Sequence, residues 1–260
     1  MPVTYSNYLK LDQLLDLQQT ESQGREHDEM LFIIIHQVYE LWFKEVLHEL
    51  DYLQRSLESN HAPPALNTLK RVLTILKIMV AQIDILETMS PIDFLSFRER
   101  LESGSGFQSY QFRMLEYALG QKRPAALDRY PDEEAVTQGL QERFRQPSLW
   151  DSFLAYLAKN GYDVPKELLQ RDTTQSTEPS PDVQKILIDI YHNDPAVAQL
   201  CERLVDLDEG LQEWRYRHVK MVERTIGTKP GTGGSTGAKY LKTTLFDPVF
   251  PDLWAIRTEL

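Results

Sequence analysis

His27-Asp28-Glu29-Met30-Leu31-Phe32-Ile33-Ile34-Ile35-His36-Gln37-Val38-Tyr39-Glu40-Leu41-Trp42 opens a helix-period segment that runs to about Leu57. At about 3.6 residues per turn, Phe32, His36, Tyr39 and Phe43 share one face with Val46 and Leu50. An imidazole in the middle of such a face has two readings. It is a core histidine bonded to a neighbour, or it overhangs an apolar pocket, where it binds a substrate N–H or moves a proton. Position alone leaves both open.

The flanks extend the helical pattern. Residues 3–19 start with tyrosines and turn helix-like from about Leu9, and so aromatic an arm is expected to pack on something, such as another subunit. Downstream, Pro63-Pro64 leads into a second long helix predicted from Ala65 to about Met89. Ser90-Pro91 reads as an N-cap with proline at the first helical position, opening a short helix with Phe94, Phe97 and Arg98. Gly104-Ser105-Gly106 breaks the chain, and Phe107 to Leu119 resumes helical spacing up to Gly120. Two further helices are predicted over Glu133–Arg145 and Pro147–Lys159, and Asp172 to Asp182 reads as a surface loop.

From Pro195 to Ile226 the residues Leu204, Leu207, Leu211, Trp214, His218, Met221 and Thr225 recur at alternating intervals of three and four, a buried stripe. His218 sits inside it, with Arg215 and Arg217 expected on the outer faces. Gly227 stops the helix, a glycine-rich loop spans Lys229 to Gly237, and a last helix and an aromatic tail close the chain. No period-2 strand set and no repeat is visible. The expectation is a single all-α domain over residues 1–260, a helical bundle.

Composition narrows the function classes. The chain has 260 residues, 42% hydrophobic and 26% charged, which is ordinary for a globular domain with a real core. Its longest apolar run, Met30 to Ile35, is far too short to span a bilayer, and the N-terminus shows no secretory signal. A single cysteine, Cys201, excludes an intramolecular disulfide and suits a reducing cytoplasm. A net charge of −11 argues against nucleic-acid and anionic-membrane partners. Arg215, Arg217, Lys220, Arg224 and Lys229 form the best basic cluster, either a solvated helix face or a match for an anionic cofactor or substrate.

Short motifs are weak guides here. Gly233-Gly234-Ser235-Thr236-Gly237 matches the nucleophile elbow of serine hydrolases, but that elbow needs a strand before it, and here a helix precedes it. Glu45 and His48 have the Glu-x-x-His spacing of di-iron bundles without a second copy; Asp189 and His192 come nearest and bring the wrong acid. His218 is either a core residue or an axial ligand to haem iron.

Taken together, His27 to Gln37, Ser105-Gly106-Phe107-Gln108-Ser109, Trp214-Arg215-Tyr216-Arg217-His218 and Gly231 to Gly237 resemble the tryptophan 2,3-dioxygenase family, in order and spacing, from about Tyr5 to Arg257. The resemblance implies an all-α haem protein, a cytoplasmic homotetramer, that opens the indole ring of L-tryptophan with O2 to give N-formylkynurenine. It implies haem b with His218 as axial ligand and Ser105, Gly106 and Phe107 against the cofactor. Phe32 to His36 would line the distal pocket, with His36 facing the indole N–H. Phe94 would line the substrate site, Arg98 would pair with the substrate carboxylate, and Thr232 would contact the amino-acid end. Tyr5, Tyr8 and Leu9 would belong to an arm reaching a neighbouring subunit's pocket. Phe94 stands where the family pattern usually has a tyrosine, Ile83 where it has a tryptophan and Glu26 where it has a histidine. These departures leave room for a divergent member that acts on a substituted tryptophan or inserts one oxygen atom.

Overall fold

The computed structural model of the chain describes residues 2–102, 104–130, 133–233 and 236–260. Among these every regular element is an α- or 3₁₀-helix and no strand occurs, as the periodicity predicts. Helices α1 (Tyr5–Leu9) and α2 (Leu11–Leu14) form an arm that buries none of its residues. The helix-like reading from Leu9 therefore starts late, because Thr4 already caps α1 through a reciprocal bond with Asn7. The end of the arm turns back along the chain, where Gln18 Nε2 donates to Gln37 Oε1 at 2.6 Å.

Helix α3 (His27–Glu58) carries Asp28 and Glu29 in its first turn, where carboxylates favour the helix dipole. Glu29 is buried and accepts the backbone N–H groups of Glu21 (2.7 Å) and Ser22 (3.0 Å). Helix α4 spans Ala62–Leu86, three residues earlier at both ends than predicted. Both prolines sit in its first turn, where a missing N–H loses no helical bond. Helix α5 (Pro91–Arg98) opens on the expected cap: the Ser90 hydroxyl accepts from Asp93 N at 3.2 Å and Asp93 Oδ2 accepts from Ser90 N at 3.1 Å.

Then follow α6 (Tyr110–Ala118), α7 (Glu134–Arg145), α8 (Leu149–Lys159), α9 (Lys166–Leu169) and α10 (Pro181–Asn193). The sequence reading sets no bounds for α9 or α10, and α10 begins at Pro181, inside the predicted 172–182 loop. Helix α11 (Pro195–Ile226) starts on Asp194, whose carboxylate accepts from Ala196 N and Val197 N at 3.1 Å each, and ends at Gly227. Helices α12 (Ala238–Lys242) and α13 (Pro251–Ala255) complete the chain. Asp208 of α11 pins the terminal segment: its Oδ2 accepts Val249 N, Phe250 N and Trp254 Nε1 at 2.9–3.0 Å.

Helix α4 packs against both α3 and α11. Leu50, Leu53 and Leu57 meet Leu69, Val72, Met79 and Ile83, and the stripe residues Leu204, Leu207 and Leu211 close the layer, all essentially inaccessible to solvent. Each such side chain stabilises the fold by about 1.5–3 kcal/mol through apolar burial, as an upper estimate. A second cluster gathers Ile35, Leu86, Met89, Phe94 and Phe97 at one end of these helices. Among the described residues no helix is long and apolar enough to cross a membrane.

Candidate active site

The apolar face of α3 and the stripe of α11 do not close completely on each other. Between them lies a cavity whose space, open mouth included, is about 1560 Å³. Phe32, His36, Tyr39 and Phe43 line it from α3, and Trp214, His218, Met221 and Thr225 from α11. Helix α5 adds Phe94 and Arg98, the turn after it Ser105, Gly106 and Phe107, and the glycine-rich loop Thr232. Nine of the site residues inferred from sequence thus come together from five stretches of the chain. Tyr5, Tyr8 and Leu9 do not; they stand on α1, with the two tyrosines about three-quarters exposed.

His36 is fixed by its own helix. Its ring nitrogen Nδ1 lies 2.7 Å from the Phe32 carbonyl oxygen, an acceptor, so Nδ1 carries the proton and the neutral ring keeps its lone pair on Nε2. That Nε2 edge borders Gly106, where a methyl group would lie 3.9 Å away. Burial holds the His36 pKa below the usual histidine value, against the Phe32 bond and the Glu40 charge. His218 is pushed down to about 4, first by burial and then by its proximity to His36. Two neutral imidazoles therefore share one apolar chamber.

Arg98 reaches over the mouth and donates through Nη2 to the Pro230 carbonyl, while its Nε is buried without a partner. Thr232 Oγ1 donates to the Gly104 carbonyl at 2.8 Å. These two bonds lay the loop across the 104–107 turn. The approach is close: a Cβ on Gly233 would lie 2.8 Å from Ser105 Cβ. Gly237 has φ +61°, and a Cβ there would lie 2.6 Å from the Lys229 carbonyl oxygen, so the loop's return requires glycine. Phe107 holds the far side, edge-on to Tyr240 at 5.2 Å. Gly234 and Ser235, the centre of the elbow-like motif, lie outside the described residues.

One wall is charged, and sequence reading missed it. Arg113 pairs with Glu116 at 2.6 Å, and Arg215 reaches Glu116 at 3.3 Å and Gln121 Oε1 at 2.5 Å, all three charged groups lining the cavity and buried. Arg113 Nε has no partner. Arg215 is thus not on an outer face: its position on the helix points it at α6, and the acid that receives it is 99 residues away. Of the remaining basic cluster, Arg217 pairs with Asp84 and Glu87, Arg224 with Glu87, and Lys220 with Glu223. The di-iron spacing comes to nothing in space: His48 is exposed, and among the described residues no three His, Cys, Asp or Glu side chains are grouped to hold a metal ion.

A second recess adjoins the first on the other side of the Ser105–Gly106 turn. It shares Phe32, His36 and Glu40 with the cavity and adds Tyr110 and Gln111, whose Nε2 donates to Glu40 Oε2 at 2.9 Å.

Comparison with known proteins bears on what this chamber is for. The family model for tryptophan 2,3-dioxygenase matches residues 1–128 and 123–260. A tryptophan 2,3-dioxygenase of Herpetosiphon aurantiacus is 59% identical over 99% of this chain and 98% of its own length. One from Anaeromyxobacter sp. strain K is 56% identical over 99% and 96%, and one from Bacillus thuringiensis subsp. konkukian 44% identical over 99% and 93%.

Proposed function

This chain belongs to the tryptophan 2,3-dioxygenase family, and from that premise we propose that it is a haem-dependent dioxygenase that opens the indole 2,3-bond of L-tryptophan with O2 to give N-formylkynurenine. One observation carries the reading: two neutral histidines from different helices enter one largely apolar cavity, one with a lone pair on Nε2 and one with no hydrogen-bond partner among the described residues.

The residues present fit haem b. His218 would hold the haem iron through a ring nitrogen, and burial keeps it unprotonated, as metal ligation requires. Ser105, Gly106 and Phe107 border the chamber for the macrocycle's edge, and the unpartnered Nε of Arg113 suits a carboxylate of the cofactor. When bound, the haem supplies the ferrous iron that activates O2.

The protein's own part is binding, orientation and exclusion of water. Arg98 presents a planar fork to the substrate carboxylate, with its buried Nε still free to donate. Thr232 meets the amino-acid end. Phe32 and Phe94, 5.7 Å apart and tilted, form an apolar corner for the indole ring. His36 accepts the indole N–H at Nε2, because Nδ1 is already committed to Phe32. The loop over the 104–107 turn keeps water out, which strengthens each of these polar contacts.

The same reading makes the chain a single haem-binding domain of a cytoplasmic homotetramer. The exposed Tyr5, Tyr8 and Leu9, which bury nothing in their own chain, and the recess beside His36 support an arm that completes a neighbour's site. The buried free thiol of Cys201 supports a reducing compartment.

Phe94 supports a second reading. It adds no hydroxyl beside Arg98, and a divergent enzyme could hold a substituted tryptophan or insert a single oxygen atom. Product mass after reduction and incubation with L-tryptophan and ¹⁸O₂ decides. A Soret band with two labelled oxygens gained establishes the dioxygenase. One oxygen gained, or none with a Soret band present, moves the function to the divergent enzyme. A chain that binds no haem would sink both.

A further inference from the structure

His36 and His218 occupy the same local setting and are held in opposite ways. Each follows an aromatic residue by one helical turn, Phe32 before His36 and Trp214 before His218. The His36 ring is tilted 40° to Phe32 and is fixed through a nitrogen, Nδ1, on the Phe32 carbonyl. The His218 ring lies parallel to Trp214, with 1° between the planes and 5.3 Å between centroids. Among the described residues none hydrogen-bonds to either nitrogen of His218.

Trp214 is itself immobilised. It is 7% exposed, stands edge-on to Phe43 at 6.0 Å, and packs on Phe112 at 5.1 Å and Tyr39 at 6.3 Å. Tyr39 is fixed in turn, its hydroxyl donating to the Met79 carbonyl at 2.6 Å. The indole is therefore a rigid plate set in the core of α3, α4, α6 and α11.

We propose that Trp214 is the positioning residue for His218, holding the imidazole by its face, with one ring nitrogen for iron and no acceptor among the described residues for the other. The proposal rests on the haem reading above. A ligating histidine ordinarily donates its second N–H to a carbonyl or carboxylate, which fixes the ring and makes it a stronger donor. Stacking fixes the ring here, and no described residue raises its donor strength. A weaker donor stabilises ferric iron less, so the arrangement favours the ferrous state that O2 chemistry requires.

The test uses the full haem-loaded chain and two readouts other than turnover: the midpoint potential, and the iron–imidazole stretching band of the ferrous form. Trp214→Leu removes the plate; the band is expected to broaden and haem retention to fall about tenfold, with Trp214→Phe restoring both. Val222→Gln brings an acceptor one turn beyond His218, on a residue that also lines the cavity. It is expected to move the ferric–ferrous balance about tenfold toward ferric, about 59 mV for a one-electron couple. Identical bands and retention in wild type, Trp214→Leu and Trp214→Phe overturn the proposal. Should leucine unfold the bundle, Val222→Gln carries the test alone, and an unchanged potential and band frequency overturn it. A wild-type chain that takes up no haem overturns the functional reading, and this inference with it.

Discussion

His36 Nδ1 donates to the carbonyl of Phe32, 2.7 Å away, and the Phe32 ring lies 4.1 Å from the imidazole it orients. One residue thus sets both the tautomer of the histidine and the apolar wall beside it. His36→Ala is expected to lower kcat/KM for L-tryptophan by about 10- to 100-fold, the loss of one well-placed hydrogen bond in a dry site. The preference for L-tryptophan over its 1-methyl derivative, which has no N–H to give, should collapse in the same variant. Steady-state kinetics on both substrates check this; an unchanged preference removes His36 from indole recognition.

Arg98 holds a loop carbonyl with one nitrogen and leaves another buried and unpaired. Arg98→Lys keeps the charge and loses the fork, so KM for L-tryptophan should rise about 10- to 100-fold. Tryptamine, which has no carboxylate, should be used no worse by the variant than by the wild type. Equal losses on both compounds would mean that Arg98 acts through the loop alone. Hydrogen exchange at Gly231 to Gly233 separates that contribution.

Gly237→Ala should damage the loop and spare the bundle. The left-handed backbone at φ +61° costs a non-glycine residue about 1–2 kcal/mol, and the new methyl would meet the Lys229 carbonyl. We expect kcat/KM to drop at least about tenfold with the thermal midpoint nearly unchanged. A large fall in midpoint instead would show that the loop is part of the folding core.

Asp151 supplies a pH signature away from the site. Burial alone would raise its pKa, but the Arg171 fork (2.5 and 2.9 Å) and the Ser148 bonds outweigh burial and hold it below its ordinary 3.8. A depressed folded pKa means that the unfolded chain binds the proton more readily. The contribution to stability is therefore complete above pH 3.8 and disappears as pH falls through the lower folded value. Asp151→Asn should flatten that acid limb in denaturant titrations and, at neutral pH, cost about 3 kcal/mol, because Arg171 loses its partner.

Much of the cavity is legible in the sequence. The period of Phe32, His36, Tyr39 and Phe43, and that of Trp214, His218, Met221 and Thr225, report which residues share a face, and a face is what lines a chamber. Cap chemistry at Ser90 likewise depends on residues within a turn. The charged wall was not legible. Arg215 and Glu116 belong to different helices, and a pairing across 99 residues leaves no local trace. Nor could spacing show that Trp214 and His218 are parallel, since their sequence relation is the same as that of Phe32 and His36, which are tilted. The prolyl start of α4 was legible, but its bound was not: the helix takes both prolines into its first turn and so begins at Ala62, before them.

The distance in sequence between the two histidine helices also orders events in time. During synthesis α3 and α5 leave the ribosome first, and domains assemble from the N-terminal side. Phe32, Phe94 and Phe97 then have no opposite wall until α11 arrives. On the proposed haem reading, capture through His218 would wait for nearly the whole polypeptide, and a product truncated before α11 would not hold haem.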